Sequence, residues 1–218
     1  MKGKTKQFMV LGMGLFGSSL AKTLHELGHE VLAVDSDEDL VEAIAPYVTQ
    51  AVQIDATDEA ALQELGVRNF DAVIVSIGKN LRDSILVCVI IKELGVPYLI
   101  AKATDEIHAK VLRKIGVDKV VFPERDMGMR VAKSLITPNV LEMMEFSGDY
   151  RLIEIILPAK WAGNSIIGID VRRKYGISIL AIQRDGKFIV SPSPDAIFET
   201  GDILLVLGQK DDINNISA

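Results

Sequence analysis

The sequence predicts an α/β fold, a doubly wound parallel sheet followed by a small α+β C-terminal lobe. Up to residue 123, strand-like and helix-like segments alternate six times with short connections. Several strand-like segments are unbroken apolar runs, such as VIVSI and VLAV, and such runs are typical of parallel strands covered by helices on both faces. After residue 150 the segments alternate apolar and polar residues around an Asp-Gly turn signal, which indicates a β-rich lobe.

The composition is that of an ordinary soluble globular protein. The 218 residues are 49% hydrophobic and 25% charged, with a formal net charge of −6. This acidic balance excludes a broad basic surface, so we expect no nucleic-acid partner. Without a secretory signal or a long apolar run, the sequence predicts a cytoplasmic protein. The single cysteine, Cys88, lies in an apolar run and is predicted to be a buried side chain.

Each predicted strand of the sheet is followed by a predicted helix or turn. The predicted strands are Phe8–Leu11, Glu30–Val34, Ala51–Ile54, Ala72–Ile77, Tyr98–Ala101 and Val117–Phe122. The predicted helices between them are Ser18–Leu27, Leu40–Ala45, Glu59–Leu65, Arg82–Leu94 and Ile107–Ile115. Glycine follows most of these helices, as it does at many helix C-termini.

We predict a first α/β domain over residues 1–124, a helical crossover linker over 125–146 and a C-terminal domain over 147–218. In the linker, Pro138 is expected to separate two helices, the second running to about Phe146, with Gly148 and Asp149 as a hinge. The tail is expected to contain a short helix after Asn164 or Ser165 and a hairpin at Asp185-Gly186.

A Gly-x-Gly-x-x-Gly motif follows the first predicted strand and opens the first predicted helix. Gly12 is expected to make the tight turn, Gly14 to let a pyrophosphate approach the backbone, and Gly17 to let the helix pack on the strand. Asp35 ends the second strand, where a carboxylate accepts hydrogen bonds from ribose hydroxyls. The motif therefore predicts a Rossmann-type nucleotide site, and Asp35 disfavours the 2′-phosphate of NADP.

Further polar residues follow the other strands at the same edge of the sheet. Asp55 and Thr57 fit either an adenine contact or a cap of the next helix. Gly78 permits a close backbone approach to a ligand. Lys102 fits a phosphate contact, and Glu124 fits a metal contact or an ion pair with Arg125, although a solvated charge is the alternative for both.

Histidine offers little sign of metal chemistry in this chain. His108 lies at a predicted helix start, and its position alone predicts an exposed side chain. The sequence contains three histidines and one cysteine without a ligand-like spacing, so we expect no zinc site.

Five stretches of the sequence together carry a resemblance to a known family. They are VLGMGLFGSSLAKTLHELGHEVLAVD, IDATDEAALQELGVRNFDAVIVSIG, VLRKIGVDKVVFPERDMGMRVA, SIIGIDVRRKYGISILAI and GDILLVLG. The segment after the sixth strand and the tail are more specific than the glycine motif. Through these stretches, nearly the whole chain resembles the KtrA/TrkA-type regulatory subunits of Ktr/Trk potassium transporters. In this family an RCK (KTN) domain, RCK_N, precedes a small RCK_C (TrkA-C) domain.

The resemblance implies a nucleotide-gated regulatory ring. Domains would pair as homodimers and assemble into an octameric ring beneath a KtrB/TrkH-like membrane subunit that translocates potassium. ATP and ADP, or NAD and NADH, would compete for the site, and Glu124 would meet a phosphate or a divalent cation. The nucleotide-contacting residues implied by the resemblance are Gly12, Gly14, Leu15, Phe16, Gly17, Asp35, Ser36, Asp37, Asp55, Ala56, Thr57, Ile77, Gly78, Lys79, Lys102, Ala103, His108 and Glu124.

The chain departs from the family pattern at Leu15. Relatives have an arginine there, which meets the terminal phosphate, so a strong preference for ATP does not follow for this chain. Lys79 or Arg82 is a candidate to compensate. Some family members bind cyclic di-AMP in the C-terminal lobe, and the matching residues here are Ile167, Arg172, Ile177 and Pro192. A plain apolar homodimer seam with a solvated arginine is the alternative reading of that second set.

A small NAD-dependent oxidoreductase is the alternative function. Such an enzyme needs an acid/base group opposite the nicotinamide, and the tail has no histidine and no Tyr-x-x-x-Lys pair. A DNA-binding redox sensor is disfavoured by the acidic charge. We therefore expect a regulatory protein and not an enzyme. The run Ile85–Ile91 is apolar on all sides, which predicts contact with another subunit, with burial inside the chain as the alternative.

Overall fold

The computed structural model describes residues 4–78, 80–136, 140–147 and 149–217 of the chain. Contacts divide the chain into two compact units, Met1–Asp126 and Met127–Ala218. The predicted boundaries at residues 1–124, 125–146 and 147–218 remain predictions. Lys79 lies outside the described residues.

The first unit contains a six-stranded parallel sheet, which confirms the predicted fold class. The strand order is 3-2-1-4-5-6, so the order reverses between the first and fourth strands. In such a sheet the carboxyl ends of the strands at the reversal point form a crevice. The strands are β1 (Gln7–Leu11), β2 (Glu30–Asp35), β3 (Gln50–Gln53), β4 (Ala72–Val75), β5 (Leu99–Lys102) and β6 (Lys119–Val121).

Helices connect these strands, and several begin with a side-chain cap. Asp37, Asp58, Asn80 and Asp105 each accept a hydrogen bond from a backbone N–H in the first turn of their helix. Such caps stabilise a helix end by about 1 kcal/mol each. The helices are α1 (Leu15–Glu26), α2 (Glu38–Ile44), α3 (Glu59–Glu64), α4 (Leu81–Glu93), α5 (Glu106–Ile115) and α6 (Pro123–Ile136).

The sheet is buried on both faces, as its apolar strands predict. In β1, Met9 and Leu11 belong to the apolar cluster that includes Val87 of α4. Val10, between them, belongs to the opposite cluster, which includes Ala21 of α1. Alternate residues of a strand point to opposite faces, so a continuous apolar strand supplies both cores.

Helix α4 is largely buried against its own unit. Val87, Cys88 and Ile91 have no exposed surface, while Leu86 remains substantially exposed. Burial raises the pKa of the Cys88 thiol to about 12, so the thiol is protonated at neutral pH. The predicted burial of Cys88 is confirmed. Contact of α4 with another subunit stays a prediction, for which Leu81 and Leu86 are exposed apolar side chains.

Gly17 allows α1 to lie against the turn that follows β1. Its backbone is so close to that turn that a Cβ atom placed on Gly17 would overlap the carbonyl oxygen of Gly12. Gly12 itself has φ of +96°, a conformation that residues with a side chain rarely adopt. By contrast, a Cβ placed on Gly14 meets no atom within 4 Å.

The second unit contains a five-stranded antiparallel sheet in the order 10-9-11-8-7. The hairpin predicted at Asp185-Gly186 is present, and both residues have positive φ, which suits a tight turn between antiparallel strands. The strands are β7 (Val140–Ser147), β8 (Tyr150–Ile156), β9 (Ser178–Arg184), β10 (Lys187–Val190) and β11 (Ile203–Gln209). The helices are α7 (Ile166–Ile169), α8 (Val171–Tyr175) and α9 (Lys210–Ser217).

The segment before the second unit's sheet differs from the prediction. The first linker helix is present as α6, but the predicted second helix is wrong, because this stretch forms β7 and pairs antiparallel with β8. Ser147 and Tyr150, which flank the predicted hinge, pair with each other. Gly148 lies outside the described residues. The closing helix α9 was not predicted.

A buried ion pair organises the turn before β11. Arg184 donates two hydrogen bonds of 2.8 Å to the carboxylate of Asp202, which is only 1% exposed. The same guanidinium contacts the carboxylate of Glu199 and the carbonyl oxygen of Ile197. Arg184 holds the pKa of Asp202 below its usual range. Removing one partner of such a pair leaves an uncompensated buried charge, so we interpret this pair as structural.

We predict that Gly17→Ala lowers the stability of the first unit more than Gly14→Ala does. The added methyl group at residue 17 would force α1 away from the turn, at a cost of about 1–3 kcal/mol. At residue 14 the methyl group enters open space, and only the weaker capping ability of alanine counts, about 0.5 kcal/mol. Scanning calorimetry of both variants measures the difference. Equal unfolding temperatures for the two variants would contradict the close approach.

Candidate nucleotide-binding cavity

A cavity of about 310 Å³ lies at the carboxyl ends of β1, β2 and β4, where the strand order reverses. This volume is at the lower end of the range for small-molecule sites. Ten residues predicted to contact a nucleotide line it, namely Gly12, Gly14, Asp35, Ser36, Asp37, Asp55, Ala56, Thr57, Ile77 and Gly78. The cavity is also lined by Val34, Leu40, Ile54, Ser76, Asn80 and Asp83.

The glycine turn opens the N-terminus of α1 toward this cavity. The N–H of Gly12 donates to the carbonyl oxygen of Val34 at 2.8 Å, which ties the turn to β2. Gly14 is the N-cap residue of α1 and contributes no side-chain cap. Backbone N–H groups at an uncapped helix N-terminus attract anions, and the helix dipole adds to this attraction. The arrangement suits a phosphate or diphosphate group.

Asp35 connects the end of β2 to the glycine turn. One carboxylate oxygen accepts a hydrogen bond of 2.5 Å from the N–H of Met13, and the other accepts one of 3.0 Å from the N–H of Asp37. An ionised carboxylate has about four acceptor positions, so two remain for hydroxyl groups of a ligand. Asp35 can therefore hold the turn and bind a ribose at the same time.

Asp55 follows β3 and closes its own turn. The backbone N–H and the hydroxyl of Thr57 both donate to Oδ1 of Asp55, at 2.9 and 2.7 Å. The backbone hydrogen bond is the main reason why the pKa of Asp55 lies below its usual value. The cap of α3 is Asp58 and not Asp55. The capping interpretation of Asp55 is therefore wrong, and the adenine-contact interpretation stays a prediction.

Ser76 is a lining residue that the sequence did not single out for binding. Its side chain is buried, and its hydroxyl has no hydrogen-bond partner among the described residues. A buried hydroxyl normally has a partner, so this group is available to a ligand atom in the cavity. Asn80 and Asp83 were also not predicted to line the site. Asn80 is the N-cap of α4 and Asp83 lies in its first turn, so in the sequence both look like ordinary helix-start residues.

Several predicted contacts lie outside the cavity lining. Leu15 is 97% exposed on the first turn of α1, Phe16 is half-buried, and Gly17 packs beneath the turn. Ala103 and His108 are each 1% exposed. Their side chains are therefore closed to a ligand in this conformation, and the prediction of an exposed His108 is wrong.

Lys102, the last residue of β5, and Glu124, in the first turn of α6, form an ion pair. The ammonium group of Lys102 donates to Glu124, which lowers the pKa of that carboxyl. Lys102 is 15% exposed and paired, so the solvated-charge alternative is wrong for it, whereas Glu124 is paired but 68% exposed. Arg125, the partner predicted for Glu124, pairs with Glu106 and Asp126 instead. The described residues contain no group of three His, Cys, Asp or Glu side chains that could hold a metal ion, and a divalent cation at Glu124 stays a prediction.

The residues predicted for a second ligand lie in the second unit. Ile167 is 62% exposed, Arg172 is exposed and Pro192 is half-buried. Ile177, however, has no exposed surface and belongs to the apolar core of this unit. A ligand cannot touch Ile177 in this conformation, so the side chain supports the surface from beneath.

Comparison with known proteins agrees with this geometry. The TrkA-N domain family matches residues 8–123, and the TrkA-C domain family matches residues 151–218. The chain belongs to the TrkA-N/TrkA-C family of Ktr-type potassium uptake proteins. It is 47% identical to Ktr system potassium uptake protein A of Bacillus subtilis over 210 residues, which are 96% of this chain and 95% of that protein.

A more distant relative is Ktr system potassium uptake protein A of Vibrio alginolyticus, 36% identical over 99% of this chain and 98% of that protein. Among solved structures, the GsuK channel superimposes with a TM-score of 0.69 and 20% identity, covering 98% of this chain and 39% of that chain. The GsuK RCK domain gives a TM-score of 0.65 and 18% identity, with 98% and 47% covered. These likenesses confirm the RCK-type fold.

In the described part of the chain, no helix combines the length and the apolar character that crossing a membrane requires.

His108 lies buried in the first turn of α5. Its Nδ1 faces the N–H of Thr104 at 3.3 Å and therefore accepts, which leaves the proton on Nε2. Nε2 has no partner among the described residues. Burial lowers the pKa of His108, and the nearby Asp105 carboxylate offsets part of this effect. The folded chain thus favours the neutral imidazole.

We predict that His108 makes the fold less stable in mild acid. The unfolded chain binds a proton at this residue below about pH 6.5, while the folded chain resists it, so stability falls as pH falls. His108→Gln should remove this component, and its melting temperature should decrease less than that of the wild type between neutral pH and about pH 5. His25→Gln, at an exposed position, is the control and should follow the wild type. Parallel curves for all three proteins would contradict the prediction.

Proposed function

We propose that this chain is the cytoplasmic, nucleotide-responsive regulatory subunit of a Ktr/Trk-type potassium uptake system. The observation that carries the proposal is the open cavity between the glycine turn and Asp35 in a chain 47% identical to a Ktr potassium uptake protein. The ligand class is an adenine nucleotide, ATP or ADP, with NAD or NADH as further candidates. The RCK_N domain would bind it.

The cavity chemistry supports recognition more than reaction. Ribose hydroxyls fit Asp35, a diphosphate fits the N-terminus of α1, and the mixed apolar and polar wall near Ala56 fits a base. Hydride transfer would also require an acid/base group facing the substrate. The one histidine near this edge, His108, is buried and lies outside the lining. The proposal is therefore a binding switch, and a small NAD-dependent oxidoreductase is the alternative.

The partner we propose is an integral-membrane subunit that translocates potassium. Relatives named as potassium uptake proteins and the RCK-type fold support this partner. We further propose homodimers that assemble into a ring, octameric as the family resemblance implies. Exposed apolar side chains on the first unit, such as Leu86 of α4 and Ile107 of α5, are available for subunit contacts.

A ligand can gate such a ring only through differential affinity. A nucleotide that bound two ring conformations equally well would shift neither, whereas a hundredfold preference is worth about 2.7 kcal/mol. Cyclic di-AMP remains a proposed second ligand of the C-terminal domain. Exposed Ile167 and Arg172 support it, since an arginine suits a phosphate and an aliphatic side chain suits a base.

We predict that Asp35→Ala weakens binding of ADP and ATP by about tenfold to hundredfold, because charged hydrogen bonds to the ribose are lost. Isothermal titration calorimetry on the full chain measures this effect. Small-angle scattering with and without ATP should show a ligand-dependent change of dimensions in the wild type and none in the variant.

Asp39→Ala is the matched control for that measurement, since Asp39 is an exposed carboxylate on α2 that does not line the cavity. It should bind nucleotide like the wild type. Unchanged affinity in Asp35→Ala would overturn the site. Nucleotide-dependent hydride transfer to a small substrate would favour the oxidoreductase instead.

A further inference from the structure

The cavity is lined by negative charge. Four aspartates, Asp35, Asp37, Asp55 and Asp83, are among its lining residues, and no lysine or arginine is among those the structure describes. A ligand diphosphate would add more negative charge to this site. The helix N-terminus offsets only part of it, about half an elementary charge. A cation from just outside the lining would therefore improve phosphate binding.

The ammonium group of Lys102 lies beside Gly78, at the edge of the cavity, where it could reach a bound phosphate. Its Nζ is 3.3 Å from the place that a Cβ atom on Gly78 would occupy, and Gly78 lines the cavity. The side chain is only 15% exposed, so its stem is held against the protein. The ammonium group, however, points to Glu124 and is engaged there.

The Lys102–Glu124 pair differs from the Arg184–Asp202 pair in how easily it can separate. Asp202 is 1% exposed and would become a buried unpaired charge. Glu124 is 68% exposed, so water can replace its partner at little cost. Lys102 supports the ionised form of Glu124 by lowering its pKa, which keeps the pair charged at neutral pH.

We propose that Glu124 is an internal competitor of the ligand phosphate for the ammonium group of Lys102. With the cavity empty, Glu124 holds Lys102. A nucleotide diphosphate draws Lys102 toward the rim at Gly78 and releases Glu124. This inference rests on the nucleotide-binding function proposed above and adds a residue that sets ligand affinity.

Release of Glu124 from Lys102 would affect α6, the helix in which the chain passes to the second unit. Glu124 is the second residue of α6, and the chain passes from the first unit to the second within this helix, between Asp126 and Met127. Occupation of the cavity would thus remove one contact from the start of the helix that leads into the second unit.

The test compares nucleotide affinity in variants of the full chain, by calorimetry in buffer with EDTA. Glu124→Gln frees Lys102 and should tighten ADP binding by up to about fivefold, the range of an exposed ion pair. Adenosine, which lacks phosphate, should bind with unchanged affinity. Glu106→Gln is the matched control, because Glu106 is 67% exposed and pairs with Arg125. Its ADP affinity should equal that of the wild type.

A second variant separates competition from a general charge effect. Lys102→Met should weaken ADP binding, and adding Glu124→Gln to Lys102→Met should then bring no gain. If ADP affinity in Glu124→Gln is unchanged or lower, or if adenosine tightens equally, the competition is overturned while the nucleotide site stands. If the wild type binds neither ADP nor ATP, the proposed function fails and the inference fails with it.

Discussion

The contact of α1 with the turn after β1 is the constraint on which the first unit depends. Because residue 17 has no side chain, α1 can lie directly against the turn at Gly12, and its N-cap residue Gly14 lines the cavity. Asp35 then fixes the turn from β2 through the N–H of Met13. The proposed phosphate attraction and ribose recognition would therefore come from neighbouring groups, the N–H groups at the start of α1 and the carboxylate of Asp35, which the surrounding strands hold in place.

Unbroken apolar runs and helices that end at glycine are local sequence patterns, so the parallel sheet could be predicted from the sequence. Residues 140–147 could not, because methionine, leucine and glutamate favour a helix in isolation, and only pairing with β8 makes this segment a strand. The short α9 is polar apart from Ile213 and Ile216, which are buried in the second core. Its helical form depends on that packing more than on its own periodicity.

In the candidate site, too, features set by neighbouring residues could be predicted, whereas features set by residues far apart in the sequence could not. Of the ten predicted lining residues, the family resemblance alone supplied Ser36, Asp37, Ala56 and Ile77, whereas the glycine motif and the strand ends predicted the other six. The burial of Ile177 depends on residues far away in sequence, such as Ile213 in the same core, and the burial of His108 did not follow from its place near a helix start. The link between Lys102 and Glu124 spans 22 residues and exists because parallel strands β5 and β6 end side by side. Pairing partners of charged residues are the part of a site that sequence patterns specify least.

The lone thiol of this chain has a practical consequence. Cys88 is fully buried and stays protonated at neutral pH, so it is a poor nucleophile toward alkylating reagents and oxidants. A cysteine introduced at a surface position would react selectively while the native thiol remained in place. Fluorophores or spin labels could then report distances between copies of the chain without first replacing a core residue, whose loss would leave a void in the sheet's packing.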